Sequence, residues 1–373
     1  MFSAFCSRNL LAGLFLRKNN FLLIDEPTNH LDMAARETVA KYLNGKTGFI
    51  LVSHDRAFLD TCVNYILSIN KSNIEIQKGN FSSWYMNKKL QDNYETAKNY
   101  GLKNEIKRLT ITAREKADWS DRIEATKIWT HQADRGYIGH LAAKMMKKSK
   151  AIERRTEREI EEKSKLLKNI ESSEPLKIHP LEYHAQRLVT LQNAAVSYDE
   201  TEVFSGFSLS LMQGDRLALM GGNGSGKSSL LKLICGESIP HSGTVTVASG
   251  LIISYVPQDT SFLTGSLDAY AAEQGIDVTL FKTILRKLDF ARVQFEKDMR
   301  DYSAGQKKKA LIARSLCQRA HLYVWDEPLN YIDVISRVQI EELILTYKPT
   351  LLFAEHDRTF CNNIATQVIA IAH

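Results

Sequence analysis

The chain has 373 residues, 49 Lys and Arg against 43 Asp and Glu, and a hydrophobic fraction of 44%. That length predicts two or three domains rather than one core, and the composition is that of ordinary globular protein, not of a disordered or fibrous one. The net charge of +6 is uneven: residues 101–170 alone hold 18 Lys and Arg against 11 Asp and Glu. Cys6, Cys62, Cys235, Cys317 and Cys361 are far apart, which argues against a zinc cluster or a disulfide framework and suits a reducing cytoplasm. No apolar run approaches the roughly 18–20 residues of a membrane span. Leu10 to Leu16 is apolar but is broken by Arg17-Lys18, with no small-residue cleavage site after it, which argues against a signal peptide. A cytoplasmic protein with no membrane span is expected.

In chain order, Phe21 to Ile24 is a short apolar strand ending in Asp25-Glu26-Pro27-Thr28-Asn29-His30-Leu31-Asp32, and Gly48 to Ser53 is a second strand followed by His54-Asp55-Arg56. The same order returns near the far end. Leu322 to Trp325 leads into Asp326-Glu327-Pro328-Leu329-Asn330-Tyr331-Ile332-Asp333, and Thr350 to Ala354 leads into Glu355-His356-Asp357-Arg358. Asp25 and Asp326 lie 301 residues apart, as do Arg36 and Arg337; His54 and His356, and Phe58 and Phe360, lie 302 apart. A register kept over such a span is an internal duplication.

Between the copies, no proline occurs from Trp84 to Glu171, and only Gly101, Gly136 and Gly139 interrupt a charged, helix-favouring composition. Acid-first pairs such as Asp118/Arg122, Glu159/Lys163 and Glu161/Lys165 support helix at i,i+4. Two long antiparallel helices are predicted, with a tip near residues 130–150; Pro175 and Pro180 close the segment and Arg187 to Leu191 begins a β-rich domain. Lys144, Lys147, Lys148, Lys150, Arg154, Arg155 and Arg158 bunch beside that tip with Tyr137, Met145 and Met146. Such a surface suits RNA phosphates better than base reading, although a charged helix face is often only solvated.

The chemistry is carried by Gly221-Gly222-Asn223-Gly224-Ser225-Gly226-Lys227-Ser228, followed by Ser229. It fits G-x-x-x-x-G-K-[ST] and stands between a buried strand, Arg216 to Met220, and a helix opening at Ser229. Glycines let the backbone wrap phosphates with its N–H groups pointing inward at a helix N-terminus. Lys227 is the expected partner of the β- and γ-phosphates and Ser228 of a Mg²⁺ ion. The chain is therefore expected to bind a nucleoside triphosphate with Mg²⁺.

A phosphate loop, a distal D-E-P, a following His and Tyr302-Ser303-Ala304-Gly305-Gln306 upstream together resemble the ABC-type ATPases, over about residue 187 to the end. The resemblance implies an α/β P-loop fold. Two copies on one chain, joined by a charged helical hairpin, resemble the ABC-F subfamily, which acts on the ribosome. Gly79 to Trp84, Tyr137 to His140, Lys144 to Lys147 and Pro328 to Asp333 resemble its Gram-positive antibiotic-resistance group, which protects ribosomes from lincosamides, pleuromutilins and streptogramin A. The resemblance implies that Tyr198 stacks on adenine, and that Gln258 touches Mg²⁺ and the attacking water. It further implies that Asp326 holds the Mg²⁺ shell, that Glu327 polarises water, and that His356 senses the γ-phosphate. ATP would be closed by the signature Ser303, Gly305 and Gln306 of an opposing domain, and the ribosomal RNA would meet the hairpin near residues 130–158.

The first copy departs from this pattern. By the duplication offset, Phe2 stands where Ser303 stands, and Met1 to Cys6 does not resemble a signature. The expected layout is a remnant of a first ATPase domain (1–77), a hairpin (78–180) and a second ATPase domain (181–373), the first being N-terminally truncated. Glu26 and His54 keep the right letters without a phosphate loop to serve, and are not expected to be catalytic. Three readings remain open: a ribosome-acting ATPase, impaired by truncation; a nucleotide-binding relic without useful turnover; and the ATPase subunit of a transporter. A homodimer through the second domain is one way to complete the site.

Overall fold

The computed structural model describes residues 21–28, 31, 33–69, 74–126, 151–163 except 153 and 157, 176–198 and 201–371, with the isolated positions 13, 144 and 147. Two compact units emerge, one formed by residues 1–82 with 173–373 and the other by 83–172.

In the first unit the two copies of the duplicated stretch have the same order of elements among the described residues. Strand β1 (Leu22–Asp25) is followed by α1 (Met33–Asn44), β2 (Phe49–Val52) and α2 (Arg56–Cys62). β1 and β2 are parallel, with Leu22 opposite Phe49 and Asp25 opposite Val52. A small antiparallel hairpin, β3 (Tyr65–Ile69) and β4 (Ile74–Lys78), follows. Near the other end, β10 (Leu322–Asp326), α8 (Val334–Tyr347), β11 (Leu351–Ala354) and α9 (Arg358–Ile364) repeat the order, with Tyr323 opposite Leu351 and Asp326 opposite Ala354. Those four pairings correspond under the two sequence offsets, so the duplication extends to strand register.

What surrounds β10 and β11 is larger. β5 (Arg187–Tyr198), β6 (Thr201–Met212) and β8 (His241–Val247) form an antiparallel sheet in the order β6-β5-β8. A parallel sheet runs β12-β7-β11-β10-β9, with β7 (Arg216–Met220), β9 (Ile253–Val256) and β12 (Gln367–Ala370). Its central strands are continuous apolar runs because both faces are covered. On one face α4 (Lys227–Ile234) and the antiparallel sheet bury Leu217, Leu230, Leu231, Val324 and Leu352. On the other, α5 (Leu267–Glu273), α6 (Val278–Lys287), α7 (Ala304–Cys317) and α8 bury Phe281, Leu311, Tyr323, Trp325 and Phe353. This is the α/β fold of an ABC-type P-loop ATPase domain. The predicted helix at Ser229 begins two residues earlier, at Lys227.

The second unit holds most of α3 (Phe81–Thr126), a 46-residue helix, and helical turns between 151 and 163. An ion pair from Lys163 to Glu105 ties the returning segment to α3. The predicted tip near 130–150 lies outside the described residues apart from Lys144 and Lys147; those two and Arg154, Arg155 and Arg158 are exposed. Among the described residues no helix is long and apolar enough to cross a membrane.

Candidate functional site

The phosphate loop connects the end of β7 to α4, and its backbone explains its glycines. Gly224 and Gly226 both have φ of +88°, and a Cβ on Gly226 would sit 2.6 Å from Phe204 and 2.7 Å from Val203. Gly226 occupies the N-cap of α4 without a capping side chain, so the amides of the first turn are presented to the loop's interior. Lys227, the first residue of α4, folds back and donates from Nζ to the carbonyls of Gly221 and Gly222, each at 2.9 Å. Ser229, two residues along, accepts from the Tyr198 hydroxyl at 3.2 Å, which sets that half-exposed ring at the edge of the loop.

Four chain segments converge beside the loop. Gln258 Nε2 donates to Glu327 Oε2 at 2.7 Å, and Asn330 Nδ2 donates to the same oxygen at 2.6 Å. Glu327 Oε1 faces His356 Nε2 at 3.5 Å. Ser228 Oγ lies 3.5 Å from Gln258 Oε1, at the outer limit of a hydrogen bond. Lys227, Ser228, Gln258, Asp326, Glu327 and His356 are therefore one neighbourhood. Ser303, Gly305 and Gln306 form a separate feature at the start of α7, where Ser303 and Gln306 complete a capping box. A Cβ on Gly305 would meet the Tyr331 carbonyl at 2.5 Å, which fixes α7 closely against the turn after Asn330.

The two neighbouring carboxylates are shifted in opposite directions. Asp326 is 1% exposed, and neither of its side-chain oxygens has a hydrogen bond of normal geometry. Burial pushes its pKa up to about 6, opposed by the nearby Ser228 hydroxyl, Lys308 and Lys227 and reinforced by Glu327. Glu327 is also pushed up by burial, but the His356 ring, Lys227 and the Gln258 amide outweigh that and hold it below the usual range. Its backbone φ of +46° is a left-handed conformation that a Glu seldom adopts, and its N–H bonds the Ala354 carbonyl at 3.0 Å.

Three residues that motif reading did not single out hold this arrangement. Lys308 is buried on α7 and donates from Nζ to the carbonyls of Pro257 at 3.0 Å and Asp326 at 3.1 Å, so it joins the Gln258 segment to the end of β10. Burial lowers its pKa. Glu355 accepts from the Leu329 amide at 2.7 Å and the His356 amide at 2.9 Å, and burial raises its pKa. Asn330 is the third. Lys308 carried a signal in the sequence, since it falls at helical spacing with Leu311, Ile312 and Ser315 on a buried face.

In the first copy, Glu26 and His54 reproduce the pair of Glu327 and His356, with Glu26 Oε1 again 3.5 Å from His54 Nε2 and φ again strained, at +45°. Their electrostatics differ. Burial raises Glu26 to about 7 in spite of the His54 amide and Arg337, and burial also lowers His54.

Residues 204–330 match the family model described as ABC transporter. The ATP-binding protein YdiF of Bacillus subtilis is 30% identical over 98% of this chain and 54% of its own length. The ribosome protection protein VmlR of the same organism is 28% identical over 95% of this chain and 65% of its own. ABC-F type ATP-binding proteins are thus homologues, and this chain spans little more than half of YdiF and under two-thirds of VmlR. Among solved structures, the complex of the archaeal ribosomal stalk protein aP1 with the ribosome recycling factor aABCE1 superposes with a TM-score of 0.61, at 17% identity, over 98% of this chain and 60% of that one. At that identity the likeness concerns the fold.

Proposed function

We propose that this chain binds Mg·ATP at the phosphate loop of its second copy and hydrolyses it, as an ABC-F type protein working on the ribosome. The observation that carries the reading is the convergence of Lys227, Ser228, Gln258, Asp326, Glu327 and His356 from four segments on one site. Gly221 to Ser228 would wrap the phosphates, with Lys227 leaving the Gly221 and Gly222 carbonyls for phosphate oxygens, and Tyr198 and Ser229 at the adenosine side. The bare, buried oxygens of Asp326 fit a Mg²⁺ shell completed by Ser228, Gln258 and phosphate. The ion, when bound, would neutralise charge developing on the transferred phosphoryl group. Glu327, kept ionised and aimed by Gln258 and Asn330, would hold and polarise a water, and His356 would sit at the γ-phosphate side. The signature Ser303, Gly305 and Gln306 would close on nucleotide held by an opposing domain.

ATP turnover measured against a Lys227→Ala control tests the reading. Wild-type activity well above the control is expected; equal activity would leave a nucleotide-binding protein without useful turnover.

The ribosomal role rests on the homology to VmlR and on the basic segment near residues 130–158, in a layout of first copy (1–77), hairpin (78–180) and second ATPase domain (181–373). Protection against lincosamides, pleuromutilins or streptogramin A is the specific form we propose. Co-pelleting with ribosomes should require ATP, weaken when Lys147, Lys148 and Lys150 are changed to Glu, and fall steeply with salt as RNA phosphate contacts release counterions. Pelleting indifferent to those charges would remove the hairpin from the account and return weight to a transporter subunit. A homodimer through the second copy would bring a second Arg337 to the position Arg36 holds near His356; sedimentation of Glu327→Gln with ATP distinguishes monomer from dimer.

A further inference from the structure

Among the described residues the first copy reaches the second through polar contacts, and one ends on the backbone of a proposed site residue. Arg36, on α1, donates from Nε to the Leu31 carbonyl at 3.0 Å and from Nη1 to Asp55 Oδ2 at 2.6 Å. The counterpart Arg337 makes the same two contacts in its own copy, to the Ile332 carbonyl at 2.9 Å and to Asp357 Oδ2 at 3.3 Å. Arg36 does one thing more. Its Nη1 also donates to the His356 carbonyl at 3.1 Å, across 320 residues of sequence.

His356 is therefore held from two sides. Its amide donates to the buried Glu355, within the second copy, and its carbonyl accepts from Arg36 of the first. The backbone that carries the imidazole is fixed between those two bonds, and the ring stands 3.5 Å from Glu327. Beside the bridge the copies separate around a pocket of about 210 Å³ lined by Arg36, Asp55, Phe58, His356 and Arg358. Two further cross-copy ion pairs, Arg56 to Glu341 at 2.5 Å and Arg358 to Glu37 at 3.0 Å, attach to α8 and α9 without touching His356. We infer that Arg36 is a positioning residue for the second copy's site, so that the first copy, with no phosphate loop among its described residues, acts on ATP turnover through the backbone of His356. This rests on the ATPase reading proposed above.

The guanidinium is suited to the task because it can serve Leu31, Asp55 and His356 at once from a planar fork, which a lysine ammonium cannot. Arg36→Ala is expected to lower kcat about tenfold, the size of coupling carried by a single contact network, with KM for ATP unchanged. Arg36→Lys should recover part of that loss. Arg56→Ala, which removes a cross-copy bond of similar burial, should lower thermal stability as much and leave kcat within twofold. In a His356→Ala background Arg36→Ala should cause no further loss, because the group it acts through is gone. The imidazole ¹⁵N resonances of His356, assigned by their disappearance in His356→Ala, should move in Arg36→Ala and not in Arg56→Ala. Resonances that stay fixed, an equal loss of kcat in Arg56→Ala, or additive losses with His356→Ala would each overturn the inference. A wild type without turnover but with the resonance shift would overturn the ATPase reading and leave the positioning contact standing.

Discussion

The two copies of the duplicated stretch have the same letters, the same strand register and the same strained glutamate, yet they are physically different sites. In the second copy Glu327 is fixed by Asn330, three residues along its own turn, and by Gln258 and Lys227, two groups supplied by other segments, and its carboxylate stays ionised. In the first, Glu26 meets His54 across the same 3.5 Å, but burial dominates and lifts it to about 7. A D-E-P followed by a His is therefore half of a site. Among the described residues, the charge on that glutamate follows what surrounds it: Lys227 and Gln258 beside Glu327, and burial at Glu26.

The largest way to break the comparison is catalytic. Glu327→Gln removes the group proposed to polarise water and should reduce ATP turnover by about a hundredfold or more, in line with the loss of a positioned transition-state group. Glu26→Gln, the same substitution in the same local geometry, should leave turnover within twofold. Comparable losses at both positions, read by phosphate release, would mean that the first copy is itself a working site.

Packing gives the second contrast. The sheet faces that meet α4 and the antiparallel sheet in the second copy carry Val324 and Leu352, both 0% exposed. Their counterparts in the first copy, Leu23 and Ile50, are 71% and 57% exposed, and Phe21 and Val52 beside them are 64% and 50% exposed. The opposite face of the first copy is covered normally, with Leu22, Ile24, Val39, Leu43 and Phe58 in one cluster. Leu352→Ala should consequently cost about 3 kcal/mol, the usual range for a truncated core leucine, and Ile50→Ala less than about 0.5 kcal/mol. Denaturant titration of both variants measures this. A large cost for Ile50→Ala would show that its face is covered in solution.

Much of this was legible in the sequence, for a physical reason. The phosphate loop and the D-E-P turns need particular residues at consecutive positions, because a tight backbone path or a left-handed turn is specified locally. Strand register was legible because the duplication preserves it. The contacts of Lys308, Glu355 and Arg36 were not, since each joins segments far apart in the chain: Lys308 lies 51 residues from Pro257, Glu355 26 from Leu329 and Arg36 320 from His356. Nor could spacing reveal that Glu26 and Glu327 differ in charge state, because that depends on desolvation and on neighbours contributed by the fold. The bare face of the first copy follows the same rule. Phe21, Leu23, Ile50 and Val52 lie in stretches that read as two short apolar strands, and only the three-dimensional surroundings show which side is covered.

The smallest effect concerns pH, and there the copies should differ in sign. Glu26 has a folded-state pKa of about 7 against an ordinary 4.5, so the folded protein favours its protonated form. Its stabilising contribution is complete below pH 4.5, declines as the unfolded chain ionises, and is lost once the pH passes 7. Glu327 is held below its ordinary value, so its contribution is present above pH 4.5 and is lost as the pH falls through the folded-state value. At pH 8, Glu26→Gln should stabilise the protein by about 1 kcal/mol, a figure already reduced for solvent screening of a partly exposed side chain. At pH 5 the same variant should be near neutral. Glu327→Gln should instead lose stability relative to wild type at pH 8 and lose less of it as the pH is lowered. Denaturation midpoints of the three proteins between pH 3 and 8 decide the matter, the Glu26 variant changing above pH 4.5 and the Glu327 variant below it. If both variants shifted in the same direction, the electrostatic difference between the copies would be refuted, and the shared letters would after all describe two equivalent carboxylates.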